Sequence, residues 1–118
     1  MKALIVDDAA LARAMLRRIL EANGFNEIWE APNGEEAVKI YDGVRPNLVT
    51  MDITMPQMDG ITALKNIMAL DAKANVIICS AMGEKSIVMD ALQAGAKHYI
   101  VKPFDDDKVA SIVRVVVT

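Results

Sequence analysis

The stretch Ala3-Leu4-Ile5-Val6-Asp7-Asp8-Ala9-Ala10-Leu11-Ala12-Arg13-Ala14-Met15-Leu16-Arg17-Arg18-Ile19-Leu20-Glu21 reads as one complete βα unit. Ala3 to Val6 is a short apolar run of the kind a strand buried on both faces requires. After the acidic pair Asp7-Asp8 the period changes. Leu11, Met15 and Ile19 fall at i, i+4 and i+8 with Leu16 and Leu20 beside them, and Arg13, Arg17 and Glu21 form the opposite, polar face of a helix. A buried strand, a polar turn and an amphipathic helix in that order are the repeating unit of a parallel sheet.

The same alternation runs through the rest of the chain. Further strands are expected at Glu27 to Ala31, Leu48 to Met51, Val76 to Cys79 and Tyr99 to Val101. The second helix begins at Asn33, with Glu36 three residues on in a capping-box-like pattern and Glu35 and Lys39 as an i, i+4 pair. The third carries Ile61, Leu64 and Met68. The fourth carries Val88 and Leu92 with Ile87 and Ala91 alongside, and Gly95 is placed as its C′ residue. The fifth has Val109, Ile112, Val113 and Val116 at helical spacing, against the poor helix propensity of the β-branched run Val115 to Val117. Five such units predict an α/β, doubly wound, five-stranded parallel sheet with helices on both faces.

The composition bounds what this fold can do. A chain of 118 residues, 53% hydrophobic and 25% charged, with four Pro and six Gly, is an ordinary globular domain that forms its own core. Its net charge of −3 argues against a broad surface for nucleic acid. The single Cys79 lies in an apolar run and reads as a buried, inert thiol. No apolar run exceeds four residues, so neither a membrane span nor a secretory leader is expected, and the cytoplasm is the expected compartment.

In a doubly wound sheet, ligands bind at the carboxyl ends of the strands. Asp7 and Asp8 follow the first strand, Asp52 the third, Ser80 the fourth, and Lys102-Pro103 the fifth. Singly, Asp8 reads equally well as a helix cap and Asp52 as a strand end in solvent. Together they make a cluster of acids whose members, at ~5 Å and an effective dielectric near 20, repel by roughly 3 kcal/mol per pair. Such a cluster calls for a cation or a raised pKa; a divalent metal is the economical answer, and oxygen ligands alone favour Mg²⁺. Lys102 and Ser80 add a point charge and a hydroxyl donor suited to phosphoryl oxygens. A carboxylate can itself be the nucleophile toward phosphorus, and Asp52 is the best placed. No glycine-rich nucleotide loop is present. His98 reads as a surface residue. Met15, Met68 and Met89 read as core fillers, Met55 and Met58 as flanks of the loop after Asp52, and Asp105 to Asp107 as capping acids of the fifth helix.

Val6-Asp7-Asp8, Met51-Asp52-Ile53-Thr54-Met55-Pro56 with Asp59-Gly60, Ser80-Ala81, Ala94-Gly95-Ala96 and Lys102-Pro103-Phe104, in this order and spacing, resemble the receiver domains of two-component response regulators. The resemblance covers residues 1–118 as one domain. Because the chain ends with the receiver, it is most similar to the stand-alone chemotaxis regulators (CheY type). It implies strand order 2-1-3-4-5 and a phosphoacceptor at Asp52, charged by a phosphohistidine on a sensor histidine kinase. It further implies Mg²⁺ held by Asp8, Asp52 and the backbone carbonyl of Thr54, with Asp7 reaching it through water. Lys102 would pair with the phosphoryl group, Ser80 would swing toward it while Tyr99 rotates inward, and Lys102-Pro103 would be a cis peptide. The face formed by the fourth helix, fifth strand and fifth helix would dock the flagellar motor switch or another effector, with the protein a monomer. Catalysis would be only self-directed. A phosphorelay intermediate is the rival within signalling. A small Mg²⁺-dependent phosphatase using Asp52 is disfavoured, since the five units leave no residues for a substrate-gripping cap.

Overall fold

The structure, a computed structural model, describes residues 1–55 and 58–118; the Pro56 of the motif above lies outside them. Five strands, β1 (Lys2–Val6), β2 (Glu27–Ala31), β3 (Leu48–Asp52), β4 (Val76–Ser80) and β5 (His98–Val101), alternate with α1 (Ala10–Glu21), α2 (Gly34–Val44), α3 (Gly60–Leu70), α4 (Lys85–Gln93) and α5 (Asp106–Val117). All neighbouring strands are parallel, in the order β2-β1-β3-β4-β5. The expected strands are all present. Four of them run one residue further than their apolar runs, because ladder pairing takes in flanking polar residues such as Asp52, opposite Cys79, and Ser80, opposite Val101.

Alternation along each strand sorts the core into two layers. Leu4, Val6, Val49, Met51, Val76 and Ile78 face Ala37, Tyr41, Leu64, Ile67, Val88 and Ala91 from α2, α3 and α4. Ala3, Ile5, Leu48, Ile77 and Cys79 face Leu16, Ile19 and Leu20 of α1 and Val109 and Val113 of α5. β3 and β4 are therefore buried on both faces, which is why they read as largely apolar runs, with Thr50 a buried polar residue within β3.

Helix boundaries follow local chemistry. Asn33 caps α2 by accepting from the Glu36 N–H at 2.9 Å, and Asp59 and Asp105 do the same for α3 and α5 at 2.8 and 3.0 Å. Gly95 follows α4 with φ +120°, the left-handed region expected of C′. α5 stays helical through Val117 because burying Val109 and Val113 outweighs the weak propensity of its valines.

Several expectations need correction. Leu11 is 74% exposed, so the buried stripe of α1 is Leu16, Ile19 and Leu20. The polar face of α1 has partners that periodicity does not show: Arg13 and Arg17 donate to the Glu30 carboxylate on β2 at 3.0 and 2.7 Å, and Arg17 also to the Ile28 carbonyl. Met89 is 55% exposed and fills no core, whereas Met55 is buried within it.

Gly60 fixes how α3 starts. Its N–H donates to the Ile53 carbonyl at 2.8 Å, and a Cβ there would stand 2.2 Å from the Asp52 carbonyl oxygen. Backbone cannot yield as a side chain can, so Gly60→Ala is expected to destabilise the fold by about 2 to 4 kcal/mol, as overpacking does in rigid surroundings. Urea unfolding measures this; a change below about 0.5 kcal/mol would refute the close approach.

Candidate functional site

The strand order reverses between β1 and β3, since the chain leaves β1 for β2 on one side and returns to β3 on the other. A crevice opens at the carboxyl ends of strands at such a point. Asp7 follows β1 and is fully buried; Asp52 ends β3 and is 7% exposed; Asp8 faces solvent. One oxygen from each of the three carboxylates lies within 4.8 Å of the others. Neither bland reading of these acids holds. Ala9, not Asp8, stands at the N-cap of α1, with no side-chain cap, and Asp52 is buried.

Lys102, just past β5, completes the cluster. Its Nζ donates to Asp7 Oδ2 at 2.9 Å and lies 3.7 Å from Asp52 Oδ2. Asp7 Oδ1 accepts from the Ala9 N–H at 2.9 Å, while the Asp7 carbonyl accepts from Arg13, so the first acid is held from both ends. Among the described residues, Asp52 Oδ1 has a single long contact, 3.4 Å, from the Thr54 N–H. Ser80 is buried at the end of β4, and its carbonyl accepts from the Lys102 N–H at 2.7 Å. The Lys102-Pro103 peptide is cis.

This arrangement leaves Asp52 short of compensation. Burial, and next the charge of Asp7, push its carboxyl from 3.8 up to about 6, against the pull of Lys102. Burial would draw the Lys102 ammonium down, but the Asp7 hydrogen bond and the charges of Asp52 and Asp7 hold it above its usual value. Cys79, beneath the rim, is pushed up to about 12 by burial and stays an inert thiol. Hard oxygen ligands with surplus negative charge suit a divalent cation such as Mg²⁺.

The remaining expected site residue, Tyr99, is 40% exposed on β5 beside the His98 ring, their centroids 5.6 Å apart. Next to it a groove of about 430 Å³ runs between β5 and α4, lined by Ser80, Met82, Val88, Met89, Leu92 and Val101 among others. Sequence reasoning missed Glu84. It accepts from the Ala81 N–H and from the Thr54 hydroxyl at the edge of the cluster. Its loop has no periodicity that marks it.

The family model of the response regulator receiver domain matches residues 3–114. The chain belongs to this family. The receiver is 59% identical over 111 residues to the chemotaxis protein CheY of Bacillus subtilis, covering 94% of this chain and 92% of that one. It is 52% identical over 108 residues to CheY of Thermotoga maritima, covering 92% and 90%. Among solved structures, a CheX-CheY-BeF3-Mg²⁺ complex from Borrelia burgdorferi superposes with a TM-score of 0.95 at 47% identity, over all of this receiver and 90% of that chain. Among the described residues, no helix of the receiver is long and apolar enough to cross a membrane.

Two predictions follow from the charge balance of the receiver. Carboxyl NMR of the metal-free protein is expected to show Asp52 titrating near 6, with Asp7→Asn moving it down and Lys102→Met moving it up; opposite movements would refute the assignment. Folded Asp52 holds its proton more tightly than the unfolded chain, so its ionisation costs stability as pH rises from 3.8 to about 6. Asp52→Asn is therefore expected to stabilise the metal-free protein near pH 7, by at most about 3 kcal/mol before solvent screening, and so to raise its melting temperature. The gain should vanish below about pH 4, and calorimetry at the two pH values checks it.

Proposed function

We propose that this receiver is a chemotaxis response regulator switched by phosphorylation of Asp52. The observation that carries the reading is a buried, under-compensated carboxylate at the switch point of the sheet, with a second acid, an exposed third acid and an ammonium converging on it. The CheY relatives, alike over nearly their whole length, support chemotaxis as the setting.

In the reaction, a carboxylate oxygen of Asp52 attacks phosphorus of a phosphohistidine on a sensor kinase, or of a small acyl phosphate. The bond from phosphorus to the imidazole nitrogen or leaving oxygen breaks, and an acyl phosphate remains on Asp52. Asp52 needs no general base, since it is ionised above about pH 6. Mg²⁺, held by Asp8, Asp52 and the Thr54 carbonyl with Asp7 through water, would supply charge neutralisation for the phosphoryl oxygens. Lys102, already 3.7 Å from Asp52, would turn part of its pairing from Asp7 to the new dianion. The Ser80 hydroxyl would donate to it from the end of β4. The protein would act on itself alone, in the cytoplasm.

The output would follow by population shift. Bonds formed by Ser80 and Lys102 only with a phosphoryl group reward one arrangement of the segments after β3 and β4. Tyr99 has room to turn into the groove beside α4. Effectors, the flagellar motor switch foremost, would dock on the face of α4, β5 and α5, where Met82, Met89, Tyr99 and Val101 are exposed. A monomer is sufficient for this.

Incubation with Mg²⁺ and acetyl phosphate is expected to add one phosphoryl group, about 80 Da by intact mass. The addition should require the metal and be absent in Asp52→Asn. Addition that persists in Asp52→Asn would overturn the assignment of the phosphoacceptor.

A further inference from the structure

Glu84 stands at the N-terminal boundary of α4, yet its side chain does not cap that helix. It reaches back to the rim. One carboxylate oxygen accepts from the Ala81 N–H at 2.5 Å and the other from the Thr54 hydroxyl at 3.2 Å. Ala81 follows the last residue of β4, and Thr54 lies two residues past Asp52, to whose carboxylate it gives its own N–H. A single carboxylate thus bridges the ends of β3 and β4 across the mouth of the site.

We propose that Glu84 is a resident anion that occupies these donors in the unphosphorylated molecule and must release them before a phosphoryl group on Asp52 is fully held. This rests on the reading of Asp52 as phosphoacceptor. A phosphoryl group brings oxygens that seek N–H and O–H donors, and the Ala81 N–H and Thr54 hydroxyl border Asp52 on two sides. Two anions do not share one donor set, so each weakens the other's hold. Glu84 is therefore a positioning residue that sets how readily the site accepts phosphoryl.

Its release also carries a message. The Glu84 carbonyl accepts from the Val88 N–H at 3.0 Å in the first turn of α4, and Gly83, just before it, has φ +88° with open space where a Cβ would stand. Freeing the carboxylate unties α4 from the end of β3, next to the groove that Tyr99 borders.

The test compares the full chain with Glu84→Ala and Glu84→Gln at saturating Mg²⁺, reading affinity for beryllofluoride and the initial rate of phosphorylation by acetyl phosphate. Glu84→Ala is expected to bind beryllofluoride roughly tenfold more tightly and to react correspondingly faster, as loss of a competing charge-assisted bond requires. Glu84→Gln, which keeps an acceptor for Ala81 but loses the charge, should fall between. In metal-free protein the Ala81 amide should exchange with solvent faster in Glu84→Ala than in the parent. Affinity and rate within about twofold of the parent, a slower reaction, or unchanged Ala81 exchange would each overturn the proposal. A parent chain that takes up no phosphoryl group strikes instead at the phosphoacceptor reading.

Discussion

The ammonium of Lys102, 2.9 Å from Asp7 and 3.7 Å from Asp52, is the contact on which the site depends. It joins residues 95 apart in sequence and faces three carboxylates with one positive charge. The result is neither a neutral ion pair nor an unpaired acid. Asp7, with a direct bond to Lys102 and another from the Ala9 N–H, takes most of the compensation, and Asp52 is left with a carboxyl pushed up to about 6. That imbalance would suit the role proposed for Asp52, because a carboxylate tied up in short hydrogen bonds offers little to an incoming phosphorus. The two apolar layers beneath the rim offset its electrostatic cost.

Much of this was legible in the sequence for a physical reason. Parallel strands covered on both faces must be apolar runs, and the residue ending each run must lie at one edge of the sheet. That rule placed Asp7, Asp52, Ser80 and Lys102 together before any distance was known. Periodicity proved weaker at the ends of helices. Leu11 has the right spacing for the buried stripe of α1 but falls in its first turn and stays exposed. Met89 sits on α4 beside an open groove. Spacing defines a face; the neighbours decide how much of it is covered.

What stayed hidden depends on contacts between distant segments. Arg13 and Arg17 read as a polar helix face until β2 brings Glu30 beside them, where partial desolvation is outweighed by their hydrogen bonds and charges, which hold the Glu30 carboxyl below its ordinary value. Glu84 meets Thr54 across 30 residues, in a loop whose sequence has no strand or helix period. Both cases are polar side chains whose partners are set by topology, and a local pattern contains no information about them.

The two glycines that flank the acids divide the rim mechanically. Gly60 is wedged against the peptide that carries Asp52, backbone on backbone, so the start of α3 and Asp52 are held together. Gly83, on the opposite bank, has open space where a Cβ would stand and already holds a left-handed conformation. Strain created at Asp52 therefore has a stiff wall on one side and a hinge on the other. A group added at Asp52 would thus meet more resistance on the bank of α3 than on that of α4.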